Sequence, residues 1–185
     1  MGGADKAFLR VERRPIVERT IDLFRAVFEE VVVVSNTPGK FARYAVRVVP
    51  DEFVGVGPLA GIHSGLGSIE APHAFVAACD MPYLSKDVIE FLVRRLTDQE
   101  AIIPSWDGDI EPLHALYSAA LRTRIETALR RGVRGIREFL PDVRVEYIPE
   151  EEMRRVRGAE ESFCNVNTPE EAARHAVERP EVTAG

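Results

Sequence analysis

Residues 75–82 read Phe-Val-Ala-Ala-Cys-Asp-Met-Pro, an apolar run that ends abruptly in a carboxylate. A short run of this kind without polar alternation, counted from Ala74, predicts a strand over 74–78 covered on both faces. Asp80 then stands at the carboxyl end of a buried strand, where an isolated carboxylate is costly unless it meets a partner. Two partners suit it. A cation is one, and magnesium is the natural choice, because it takes hard oxygen ligands and is commonly held by one or two carboxylates together with substrate phosphates. The turn ahead of Pro82 is the other, since aspartate often caps such turns. The tract alone gives neither an advantage.

On either side of this tract, strand and helix patterns alternate. Pro15 opens a helix to about Glu30, with Val17, Ile21, Phe24 and Phe28 recurring on one face. Val31 to Val34 is a β-branched run suited to a parallel strand covered on both sides, stopped by the turn Asn36-Thr37-Pro38-Gly39. Strands follow over 45–49, 101–103, 113–117 and 143–148, and helices over 59–69, 86–96 (capped by Ser85) and 119–131. A last helix opens at Thr168, where Pro169 and Glu171 complete a capping box. This order predicts a three-layer α/β fold with a doubly wound, mainly parallel sheet, whose ligands bind beyond the carboxyl ends of the strands. One domain over 1–179 and a short tail over 180–185 account for the chain.

Bulk properties narrow the function. A chain of 185 residues, 45% of them apolar, suits one core. A net charge of −6 and a pI near 5.4 argue against general attraction to nucleic acid. The longest apolar stretches fall far short of the 18 or so residues that span a bilayer. Two distant cysteines and no signal-like start point to a reducing cytoplasm.

Several other residues can carry chemistry. Asn165 and Asn167 flank Val166, so period-two geometry turns both amides to one side, toward a ligand or toward the turn before Thr168. Lys6 is one of three lysines beside 21 arginines and follows the small residues Gly2, Gly3 and Ala4, which let backbone approach a phosphate. Gly57-Pro58-Leu59 opens a helix whose amino terminus favours anions, or else forms a tight loop packed on the sheet. Asp51 closes a strand and can contact a base, a ribose or a metal. Cys79 and Cys164 are expected as small buried thiols. Arg130, Arg131, Arg134 and Arg137 form a basic cluster that attracts an anion or simply ends a helix, and Trp106, in a polar loop, stacks on a pterin ring or covers the sheet edge.

Taken in order, five tracts resemble the molybdenum cofactor guanylyltransferases, the MobA-like branch of the nucleotide-diphosphate transferases, with their Rossmann-like nucleotide-diphospho-sugar transferase fold. They are residues 1–7, 57–61, 79–82, 111–117 and 163–171. The resemblance implies that Gly2, Gly3, Lys6, Asn36, Asp51, Gly57, Pro58, Leu59 and Asp80 bind nucleotide, with Lys6 and Asp80 catalytic and Asp80 holding Mg²⁺. His114, Asn165 and Asn167 would line the acceptor site, with a core hydrogen bond the alternative for His114. The terminal phosphate of molybdopterin would attack the α-phosphorus of GTP and expel pyrophosphate, with molybdoenzymes or their chaperones as partners. Relatives using CTP or another acceptor, and a silent nucleotide-binding homologue, are the competing expectations.

One departure is consequential. Family members begin with an apolar strand and a glycine-rich loop of the form Leu-x-Gly-Gly-x-Ser-x-Arg ahead of the Met-Gly-x-x-Asp-Lys tract, whereas this sequence starts at Met1. The expectation is that ~15 further residues, one strand plus its loop, are encoded upstream. A vacant central strand position would leave backbone groups unpaired at about 1 to 3 kcal/mol each.

Overall fold

The structure is a computed structural model, and it describes residues 6–166. A 3-10 turn at Lys6–Phe8 precedes a small hairpin, Arg10–Val11 (β1) with Arg14–Pro15 (β2), that leads into α1, Ile16–Val27. Then follow Val32–Val34 (β3), a 3-10 segment Pro38–Tyr44, Arg47–Val49 (β4), Pro58–Leu66 (α2), His73–Ala77 (β5) and Lys86–Val93 (α3). The rest comprises Ala101–Trp106 (β6), Asp109–Ile110 (β7), His114–Ser118 (β8), Leu121–Arg130 (α4), Ile136–Phe139 (α5), Val145–Ile148 (β9), Glu150–Met153 (α6) and Ala159–Ser162 (α7). The helix expected from Thr168, and the tail over 180–185, lie outside the described residues.

The α/β expectation holds. β3 and β4 pair in parallel, Val33 opposite Val48. In a separate five-stranded sheet, β5 pairs antiparallel with β8, β8 antiparallel with β6, and β6 parallel with β9. β5, β6 and β9 therefore point one way and β8 is reversed between β5 and β6. The reversal follows from chain length, because the stretch from Trp106 to His114 is too short for a crossover helix and β8 must return antiparallel. Along β6 and β8 the side chains alternate strictly. Ala101, Ile103, Ala115 and Tyr117 pack with α2, α4 and α5, while Ile102 and Leu116 join Phe75 against α1, α3, α6 and α7. Three layers result.

Two regions depart from the sequence expectation. The stretch over 105–110, read as a polar loop, is the end of β6 and a hairpin to β7, turned through Asp107 (φ 49°) and Gly108 (φ 76°). Asp-Gly with both φ positive is a type I′ hairpin turn. Also, the β3 valines are half-buried rather than covered on both sides. Among the described residues β3 has a strand partner on one edge only, β4, and its other edge faces a cleft of about 1030 Å³ whose far wall is β5.

Candidate active site

The carboxyl end of β5 is where four of the five tracts meet. Asp80 lies three residues past the strand, and its Oδ2 sits 3.2 Å from Lys6 Nζ, with the two side chains 18% and 42% exposed. The Asp80 carbonyl accepts the Val166 N–H at 2.8 Å, which clamps the Cys164-Asn165-Val166 segment against the site. One step back, the Ala78 N–H donates to the Leu113 carbonyl at 2.9 Å, which docks the turn before β8. Asn165 is exposed next to this clamp. Asn167, Gly2 and Gly3 lie outside the described residues. Cys79, expected as a buried thiol, is exposed because it has already left the strand.

Of the two expectations for His114, an acceptor-pocket lining and a core hydrogen bond, the structure shows the core position, behind the site. Its side chain is fully buried, edge-on to Phe75 at 5.3 Å and 4.4 Å from the Phe163 ring, with Nε2 3.4 Å from Ser162 Oγ. Burial pushes its pKa down to about 3, so the ring is neutral. It props the Phe163 segment rather than meeting a ligand. Trp106 is committed in the same way. It is buried in β6, stacked on Phe163 at 4.8 Å and covered by the Arg154 guanidinium at 4.5 Å, which leaves no face for a pterin. The hydroxyl of Ser85 does not cap α3 but donates to the Arg157 carbonyl, and the Ser85 N–H donates to Ser162 Oγ at 2.9 Å. These contacts tie α3 to α7, the helix that delivers Phe163.

A second cluster sits at the carboxyl ends of β3 and β4. Asn36 Oδ1 accepts the Asp51 N–H at 2.9 Å, which turns the amide NH₂ outward as a donor. Asp51 Oδ1 accepts the Phe53 N–H at 3.1 Å, an Asx turn that fixes the carboxylate. The sequence reading missed Ser64. Its buried hydroxyl on α2 accepts the Glu52 N–H at 3.0 Å and donates to the Ala60 carbonyl at 3.1 Å, with Asp51 Oδ1 at 3.4 Å. A serine amid the apolar residues of α2 was the available signal. Gly57, with φ 111°, occupies a conformation closed to other residues and sets Pro58 at the first position of α2. The Leu59 side chain is buried in the core, so only its backbone is placed to meet a ligand.

The arginine cluster is largely structural. Arg130 grips Glu126, Arg137 bridges Asp109 and the Ile110 carbonyl, and Arg134 donates to the Leu129 carbonyl. The two clusters that remain, Lys6 with Asp80 and Asn36 with Asp51, share the features of a nucleotide phosphate site. A cation faces a carboxylate at a strand end, and polar groups at neighbouring strand ends are ready for a nucleoside.

That combination, on an α/β sheet of this order, defines a nucleotidyltransferase. The chain belongs to the family described as the MobA-like NTP transferase domain, whose model matches residues 1–147. It is 33% identical over 175 residues, 95% of this chain and 85% of the relative, to a probable molybdenum cofactor guanylyltransferase of Pelotomaculum thermopropionicum. It is also 34% identical over 171 residues to the molybdenum cofactor guanylyltransferase of Desulfosudis oleivorans, covering 92% of this chain and 85% of that one. Among solved structures it resembles molybdopterin-guanine dinucleotide biosynthesis protein A from Archaeoglobus fulgidus, with a TM-score of 0.81, 29% identity, and coverage of 94% of this chain and 90% of that one.

Proposed function

We propose that the chain transfers GMP from GTP to the terminal phosphate of molybdopterin, with or without bound molybdenum. The observation that carries the reading is the Lys6–Asp80 contact at the end of β5, held in place by the Val166 N–H on the Asp80 carbonyl. A phosphate oxygen of the acceptor attacks the α-phosphorus of GTP. The new P–O bond forms as the bond from the α-phosphorus to the bridging oxygen breaks, and pyrophosphate leaves with that electron pair. Such chemistry needs alignment and charge neutralisation rather than a protein nucleophile.

Each described residue has a task suited to its setting. The Lys6 ammonium, part-exposed beside Asp80, neutralises the triphosphate; Asn36 and Asp51 orient the nucleoside; Asn165 borders the acceptor. The proposal extends to Gly2, Gly3 and Asn167, chain neighbours of the residues that adjoin Asp80. Asp80 also fits a magnesium ion. It is a hard oxygen donor at the surface, its Oδ1 carries no hydrogen bond among the described residues, and magnesium is commonly held by one or two carboxylates plus phosphates. When bound, the ion would offset charge on the phosphates. The cytoplasm is the expected compartment, and molybdoenzymes or their chaperones are the expected recipients.

Pyrophosphate release from GTP, CTP and ATP, measured with molybdopterin and magnesium on the full chain and on Asp80→Ala, tests the reading. We expect GTP to be preferred and the variant to lose on the order of 10²–10³ in turnover. Unchanged release by Asp80→Ala would remove Asp80 from the site, and preference for CTP would overturn the assigned base.

A further inference from the structure

We infer that Arg19 on α1 is a positioning residue for the Lys6–Asp80 pair, holding the loop after β5 and the hairpin after Lys6 in fixed register without touching the substrate. The inference rests on the proposed reading in one respect, that Lys6 and Asp80 act on the triphosphate. Arg19 Nε donates to the Pro82 carbonyl at 3.1 Å, two residues beyond Asp80, and Arg19 Nη1 donates to Glu12 Oε2 at 2.7 Å. The guanidinium carbon also stands 5.5 Å from the centre of the Tyr83 ring, within cation–π reach. One planar group therefore meets both segments, and its side chain is only 23% exposed.

Each segment leads by a short path to a site residue. On the loop, Asp80 is anchored twice, through its own carbonyl to the Val166 N–H and through the Pro82 carbonyl to Arg19. On the hairpin side, the Leu9 N–H donates to the Lys6 carbonyl at 3.1 Å and the Ile16 N–H to the Leu9 carbonyl at 2.9 Å, which fastens the Lys6 turn to the start of α1. Ile16 and Arg19, three residues apart, share a face of that helix. Ile16 packs with Val11 of the hairpin, Tyr83 of the loop and Val166, all buried, and Arg19 closes over Tyr83 at the edge of this cluster. The hairpin turn holds Glu12 at φ 51° and Arg13 at φ 67°, a conformation that side chains of this kind keep only under outside restraint. The ion pair of Glu12 with Arg19 supplies such a restraint. On the other arm, Pro82 is buried, so withdrawing the guanidinium leaves its carbonyl short of a donor. Lysine would keep the charge but not the planar fork that serves the carbonyl, the carboxylate and the ring face together. Because the proposed chemistry depends on alignment, a small shift of Asp80 relative to Lys6 should show in turnover before it shows in the fold.

The test compares Arg19→Ala, Arg19→Lys, Asp80→Ala and the double variant Arg19→Ala/Asp80→Ala in the full chain. Pyrophosphate release from GTP is measured with molybdopterin and magnesium, and amide exchange is followed by NMR without substrates. We expect Arg19→Ala to keep its far-ultraviolet circular dichroism, to lose about ten- to a hundredfold in kcat and to change KM for GTP less than about twofold. Arg19→Lys should recover part of that loss. In the double variant the Arg19 change should cost nothing beyond the loss in Asp80→Ala, because it acts through Asp80. Exchange at the Val166 amide, which the Asp80 carbonyl holds, should quicken about tenfold in Arg19→Ala while β6 is unchanged. Unaltered kcat in Arg19→Ala, or losses that multiply in the double variant, would overturn the proposal and leave the reading of Asp80 standing. Full turnover by Asp80→Ala would overturn that reading instead, and Val166 exchange then decides whether Arg19 holds the loop, unaltered exchange overturning the hold. If Arg19→Ala does not fold, Arg19→Lys with and without Asp80→Ala makes the same comparison.

Discussion

β3 and β6 are built from the same kind of residue and have opposite surroundings. Ala101, Ile102 and Ile103 of β6 are 0 to 1% exposed, because β8 and β9 flank the strand and helices cover both faces. Val32–Val34 of β3 are half-buried, with β4 on one edge and the cleft on the other. Residue type selects the extended conformation, but burial depends on what stands at the two edges and the two faces. The densely packed sheet carries Asp80 and its clamp, and the sparse one carries Asn36 and Asp51. The proposed chemistry and the proposed nucleoside contacts thus stand on a densely and a sparsely packed sheet.

The contrast can be broken most forcefully by deleting one side chain on each side. Ile102→Ala should destabilise the chain by about 2 to 5 kcal/mol, the cost of a cavity in a filled core. Val33→Ala should cost about 1 kcal/mol, since much of that side chain already faces the cleft. Denaturant titration of both variants checks this, and equal losses would mean that the two sheets are equally well packed.

A change of pH reaches both sides, since burial also lowers the pKa of His63 on α2, and His114 reports on the dense one. His114 titrates near 6.5 when unfolded and at about 3 when folded, so below pH 6.5 the unfolded chain binds the extra proton. The stability from keeping this ring neutral is fully present above pH 6.5. It falls by on the order of 1 kcal/mol per pH unit as the pH drops toward 3. His114→Leu should flatten that slope, as read by Tm between pH 7 and 5, and an unchanged slope would assign the acid sensitivity to other groups.

The smallest expected effect sharpens the comparison at the sparse side. Ser64→Ala removes the hydroxyl that holds the Glu52 N–H and the Asp51 loop. KM for GTP should rise several-fold with kcat nearly constant, whereas loss of kcat would place Asp51 among the reacting groups rather than at the nucleoside.

Much of this arrangement was legible in the chain itself. The apolar runs at 31–34 and 74–78 marked strands because nothing polar interrupts them, and Asp80 was conspicuous as a carboxylate just past such a run. The hairpin between β6 and β7 was signalled by Asp107-Gly108 but hidden by Pro104 and by the polar look of 105–110. The hairpin at Glu12 and Arg13, with φ of 51° and 67°, has neither glycine nor asparagine to announce it. For His114 the family tract left a pocket lining and a core hydrogen bond both open, and the packing of Phe75 and Phe163 around it shows a buried support. The role of Ser64 depends on a loop that approaches from twelve residues away, a contact with no local pattern.

The stack of Trp106 on Phe163 has an optical consequence. Trp106 is the single tryptophan of the chain, and Phe163 is followed directly by the residues that clamp Asp80. Intrinsic fluorescence excited in the indole band therefore comes from one place, between β6 and the segment closing the active site. A shift in that emission when GTP is added would signal movement of the clamp in the unlabelled protein, while the β3–β4 side contributes no indole signal of its own.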